Sequence, residues 1–69
     1  MLVRRMVLNR EGAIMNESSV RVQNRSEALG RILREQRPFP ASGYDDGRDY
    51  YWARTSEPDM YLHRWRIVE

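Results

Sequence analysis

Arginine and aromatic side chains carry most of the chemical capacity of this sequence, and they concentrate toward its C-terminal end. Tyr50, Tyr51, Trp52, Arg54, Tyr61, Arg64, Trp65 and Arg66 all fall between positions 50 and 66. A guanidinium is planar, weakly hydrated and able to grip a carboxylate or phosphate through two hydrogen bonds, and Tyr, Trp and Arg dominate interface energetics. That combination points to recognition. Residues suited to catalysis are sparse. His63 is the only histidine, and a single imidazole in an alternating strand reads more simply as a packing or surface residue than as a base or metal ligand. No Gly-x-Ser-x-Gly elbow accompanies the serines, and the glycines at 12, 30, 43 and 47 are too scattered for a phosphate loop. Asp45, Asp46 and Asp49 flank Gly47 but lack the ligand spacing and closing Glu of an EF-hand, so they read as a solvated acidic loop. The expectation is no catalytic residue, no cofactor and no metal.

These residues need elements to position them. Leu2-Val3-Arg4-Arg5-Met6-Val7-Leu8 is apolar and β-branched and leads into Asn9-Arg10-Glu11-Gly12, a strand entering a hairpin turn. Alternation sets Leu2, Arg4, Met6 and Leu8 on one face and Val3, Arg5 and Val7 on the other, so this strand should be covered on one side only. One irregular return strand is predicted over about 13–22, with Asn16-Glu17-Ser18-Ser19 as a turn-like or bulged interruption. Asn24 and Glu27 form a capping-box-like pair at the start of a helix predicted over 25–36. On it Ala28, Leu29, Ile32 and Leu33 make an apolar face while Arg31, Arg34 and Glu35 point outward, and Gly30 allows close approach to the sheet. Pro38 discourages helical geometry at Arg37 and ends the helix.

Residues 38–47, rich in Pro, Gly and Asp, read as a loop. A strand over 49–55, a turn at Ser56-Glu57-Pro58-Asp59 and a strand over 60–68 close the chain. In the last strand Tyr61, His63, Trp65 and Ile67 share one face, opposite Met60, Leu62, Arg64, Arg66 and Val68. The order ββαββ predicts one α+β domain over 1–69, an antiparallel sheet of about four strands packed on one helix.

Composition limits what such a domain can be. At 41% hydrophobic and 32% charged residues the chain is too apolar to stay disordered. At 69 residues without cysteine it has a small core and no disulfide to support it, so a partner subunit, including a second copy, or a bound target would add stability. No apolar run is long enough for a transmembrane helix or signal peptide, which predicts a cytoplasmic protein that does not contact membrane. The formal charge of +2 hides an asymmetry. Every basic residue is arginine, with eight Arg against four Glu in residues 1–37 and four Arg against six acids in residues 38–69.

Packing and recognition divide these groups. One face of the C-terminal hairpin must pack on Leu29 and Ile32, which assigns at least half of its aromatics to the core. The other face should set Arg64 and Arg66 in a row with Arg4 or Arg5. The candidate partner-binding residues are therefore Arg4, Arg5, Tyr50, Trp52, Arg54, Arg64, Trp65 and Arg66.

Several local features are similar to a known family. Arg10-Glu11-Gly12 in the hairpin, Ser26, Ala28, Glu35 and Gln36 along the helix, Phe39 after it, and Trp52 and Arg64-Trp65 in the last strands resemble the type I anti-CRISPR proteins of phages and mobile elements. The resemblance implies a non-enzymatic inhibitor that docks on a host CRISPR surveillance complex, a ribonucleoprotein, and keeps target DNA from its guide channel. Read from the residues alone, two classes stay open beside a larger host protein as partner. An arginine row flanked by aromatics also suits RNA or single-stranded DNA. A compact ribonuclease working through arginine and tyrosine is the least favoured.

Overall fold

A computed structural model describes residues 1–45, 49–56 and 60–69. The elements run β1 (Leu2–Leu8), β2 (Ile14–Arg21), α1 (Arg25–Gln36), β3 (Ala41–Tyr44), β4 (Tyr50–Arg54) and β5 (Leu62–Val68). All five strands join in one antiparallel sheet in the order β2-β1-β5-β4-β3. The first and last strands are therefore neighbours at its centre. The helix packs on one side, giving a small α+β fold with one strand more than the sequence predicts.

The first hairpin is built by Asn9 and Gly12. The Asn9 Oδ1 accepts the N–H groups of Glu11 and Ala13 at 3.0 and 2.9 Å. Gly12 takes φ 85°, a left-handed geometry that glycine adopts without steric cost. Register shifts once, between Val7, which faces Asn16, and Leu8, which faces Ile14. The irregularity is thus a bulge at Met15 and not a turn over Asn16 to Ser19, which pair regularly with β1.

The predicted helix limits match, but Arg37 keeps helical geometry (φ −51°, ψ −43°) and donates its N–H to the Leu33 carbonyl at 3.2 Å, so Pro38 ends the helix by lacking an N–H and not by turning Arg37 out of the helical region. Asn24 is extended and its Oδ1 accepts the Glu27 N–H at 2.9 Å, while the Glu27 carboxylate accepts the Gln23 N–H at 2.8 Å. The first bond satisfies a donor the first turn leaves open, the second ties down the residue before the cap, and the carboxylate meets the positive end of the helix dipole. The buried stripe is Ala28, Ile32 and Gln36, spaced four apart. It is rotated from the expected face. Leu33 is 58% exposed, and Glu35 turns inward to Arg5 instead of pointing to solvent. Nothing beyond the helix backbone lies within 4 Å of where a Gly30 side chain would start, so no close approach occurs there.

The predicted loop contains β3, whose four residues pair with β4 from Ala41↔Arg54 to Tyr44↔Tyr51. Gln36 helps to fix it. Its buried amide donates to the carbonyls of Gly43 and Trp52, both at 2.9 Å, tying the end of the helix across the β3–β4 pair. The predicted turn at 56–59 lies largely outside the described residues. The core consists of Val3, Val22, Ala28, Ile32, Ala53, Trp65 and Ile67, with Met1, Val20, Leu29, Phe39 and Tyr51 packed against it.

Candidate functional site: the open sheet face

Strand alternation turns Val3, Ala53, Trp65 and Ile67 toward the helix, and no described element lies over the opposite face. Register builds that open face in rows. Arg4 stands directly opposite Arg66, which stands opposite Tyr50. The next row runs Met6, Arg64, Trp52 and Gly43. Leu8, Leu62, Arg54 and Ala41 form the third.

Guanidinium groups lie over the rings. Arg64 and Arg66 sit 5.5 and 5.0 Å from the Tyr50 centroid, and Arg54 sits 5.4 Å from that of Trp52. Cation–π attraction holds these long side chains near fixed positions, which lowers the entropy that binding must still remove. Acidic neighbours compensate part of the charge, since Arg4 pairs with Glu17 and Arg64 lies 3.6 Å from Asp45. Arg66 makes no ion pair among the described residues. Like charges directly across a pair of strands repel, and the Glu17 carboxylate on Arg4 offsets part of that repulsion against Arg66.

The face also has relief. A hollow of about 290 Å³ is lined by Asp45, Trp52, Arg54, Leu62 and Arg64. A second, about 300 Å³, shares Arg54 and Leu62 and extends to Leu8, Met60 and Tyr61. The second is mainly apolar, the first is mixed, and arginine contributes to the lining of both.

Trp52 is held by its neighbour across the strand pair. A Cβ on Gly43 would fall 2.9 Å from the Trp52 Cζ2, so the indole rests directly on the β3 backbone. Gly43→Ala is expected to displace the ring and cost about 1–3 kcal/mol, as overpacking does. Urea denaturation followed by tryptophan fluorescence checks this, and an unchanged midpoint with an unchanged spectrum would contradict it.

Two candidate binding residues do not belong to this face. Trp65 has no exposed surface and lies in the core, and Arg5 lies on the helix side of the sheet. The cause is alternation: Arg5 and Trp65 are cross-strand partners one position out of phase with Arg4, Arg64 and Arg66. The other six, Arg4, Tyr50, Trp52, Arg54, Arg64 and Arg66, share the open face. The residue-by-residue reading overlooked Met6, Leu8 and Leu62 as part of it, although the same alternation marks them. It also overlooked Glu17, and it placed Asp45 in an acidic loop without its pairing to Arg64, because such pairings across strands or from a loop have no sequence signal.

Arg5 instead organises a polar cluster beneath the helix. Its guanidinium donates to Glu35 at 3.2 Å and to His63 Nδ1 at 2.9 Å, and lies 5.0 Å from the Trp65 ring centroid. Arginine has no acceptor, so His63 Nδ1 must offer its lone pair and the imidazole is neutral with its proton on Nε2. Burial pushes the His63 pKa down, and the Arg5 charge adds to the effect. Below the unfolded pKa of about 6.5 the unfolded chain therefore binds a proton that the native chain resists. Stability is full above that pH and falls as acid is added through it. Thermal melts from pH 7.5 to 5.5 should show a falling Tm in wild type and a flatter profile in His63→Gln. A flat wild-type profile would contradict the neutral imidazole.

The acidic residues divide as well. Asp45 faces Arg64, whereas Asp49 pairs with Arg25 at the start of the helix, and that ion pair holds the Asp49 carboxyl below its usual range. Asp46 and Gly47 lie outside the described residues. Among the described residues no cluster of His, Cys, Asp or Glu is arranged to hold a metal, and no helix is long and apolar enough to cross a membrane. No protein-family model, curated protein or solved structure matches this chain.

Proposed function

We propose that this protein is a non-enzymatic inhibitor that docks on a larger host assembly through the open face of its sheet. The observation that carries the reading is the pair of adjoining hollows whose linings combine Trp52, Leu62 and Leu8 with Arg54 and Arg64. Aromatic and aliphatic side chains supply affinity by desolvation, and guanidinium groups fix orientation through carboxylate or phosphate groups of the partner. The mechanism is steric occlusion. The resemblance to type I anti-CRISPR proteins names the first partner to try, a CRISPR surveillance complex whose DNA-binding channel the protein would block.

One observation favours a second reading. Arg4 and Arg66 face each other beside Tyr50, an arrangement that suits a phosphate with a stacked base. The two readings separate in one experiment. The protein is titrated into a purified type I surveillance complex with labelled target DNA, and separately into labelled single-stranded DNA and RNA across a salt series. Docking predicts a stable protein complex, loss of target binding and no shift of free nucleic acid. A steep salt-dependent shift of nucleic acid alone would replace the first reading with the second, and failure of both arms would overturn both.

A further inference from the structure

The sheet has two edges of unequal character. At one, β3 is four residues long and follows Pro38 and Pro40. At the other, β2 runs for eight residues without proline or lysine, and all of them except Val20 are exposed. Natural sheets commonly blunt such an edge with lysine and other charged side chains, proline or a short strand, and here Glu17 and Arg21 supply one charge of each sign. Here only the bulge at Met15 interrupts it, and from Asn16 to Arg21 the strand is regular.

The hydrogen-bond phase of β2 can be read from one contact. The Val22 N–H donates to the Met1 carbonyl at 2.9 Å, which makes that pair a bonded one in the antiparallel ladder. Bonded pairs alternate, so Val20, Ser18 and Asn16 also turn their main-chain groups toward β1. Glu17, Ser19 and Arg21 turn theirs outward. All three side chains project from the open face, because their partners in β1 are Met6, Arg4 and Leu2.

We infer that β2 pairs antiparallel with β2 of a second copy about a two-fold axis at Ser19. This register is the one in which outward-facing groups meet outward-facing groups and charges complement. Ser19 faces Ser19 of the second copy, while Glu17 faces Arg21 and Arg21 faces Glu17. Each of these pairs exchanges two main-chain hydrogen bonds. The charges suit the contact. Arg21 has no ion pair among the described residues, and Arg4 engages Glu17 through Oε1 alone, leaving Oε2 for an arginine from across the axis. Small serines at the centre let the strands approach. Self-complementarity about one residue is what an isologous interface requires, and it selects a second copy over an unrelated strand. The product is a continuous sheet whose open faces carry the Arg4–Arg66 rows of both copies side by side.

This inference stands apart from the identity of any partner, and its test is oligomeric state. Sedimentation velocity of the wild-type chain over a concentration series should show a monomer–dimer equilibrium. Ser19→Pro removes an outward N–H that β1 does not use and should leave a folded monomer, checked by circular dichroism. Arg21→Glu sets two acidic pairs across the axis and should weaken the dimer about tenfold. Adding Glu17→Arg to it restores opposite charges and should recover the association. A wild-type chain that stays monomeric at submillimolar concentration overturns the proposal. So does a dimer that persists unchanged in both Ser19→Pro and Arg21→Glu.

Discussion

Replacing Trp65 with alanine should leave the chain largely unfolded at room temperature. Trp65 is fully buried on a central strand, edge-on to Phe39 at 6.4 Å, stacked with His63 at 6.1 Å and covered by the Arg5 guanidinium. Removing such a side chain costs about 3–5 kcal/mol, and a core of this size supplies about the same. The loss extends past packing, because Arg5 would keep its charge while losing the ring beneath it. Trp65→Phe is the control. The indole Nε1 makes no hydrogen bond among the described residues, so phenylalanine sacrifices volume but no polar contact and should retain a cooperative transition. Far-ultraviolet circular dichroism during urea titration separates the two variants. An alanine variant that unfolds within about 1 kcal/mol of wild type would mean that the core is not centred where the structure places it.

Reversing Arg64 and Arg66 together to glutamate should abolish partner binding while leaving the fold intact. Both project from the open face, and their contacts there are with Tyr50 and Asp45. Hydrogen bonds to charged groups contribute about 1.5–3 kcal/mol each, so losing two and adding repulsion predicts at least about a hundredfold weaker binding. Arg34→Glu, on the exposed side of the helix, should bind as wild type does. Equal affinity of wild type and the Arg64/Arg66 double variant, measured by biolayer interferometry against whichever partner the titrations identify, would remove the open face from consideration.

Sequence made the helix legible because its start is marked chemically by Asn24 and Glu27 and its end by Pro38. Those are local interactions, and local interactions leave local signals. The β1–β2 hairpin was legible for the same reason, through Asn9 and Gly12. By contrast β3 has no strand signature of its own. Ala-Ser-Gly-Tyr becomes a strand because β4 offers it a ladder, Gln36 bonds across it and Trp52 rests on Gly43. The inward turn of Glu35 was equally hidden, since its reason is Arg5, thirty positions away. For the candidate site, alternation placed Arg64 and Arg66 on one face with Arg4 or Arg5 beside them, and the β1–β5 register selects Arg4 and removes Arg5 and Trp65. What no alternation rule supplies is strand order, and strand order alone sets Arg4 against Arg66.

That order has a consequence for how the chain comes to be folded. The β1–β2 hairpin and the β3–β4–β5 meander are each local, but they meet along a single seam between the two strands most distant in sequence. A chain growing from a ribosome can form its first hairpin and helix early, yet two of the seven core residues, Trp65 and Ile67, arrive only with β5. Until then Val3, Ala28 and Ile32 lack the fully buried indole that fills the space between helix and sheet. The fold therefore closes only when β5 is in place, and deletion of Leu62–Val68 removes the middle of the sheet, where loss of an edge strand would only trim it.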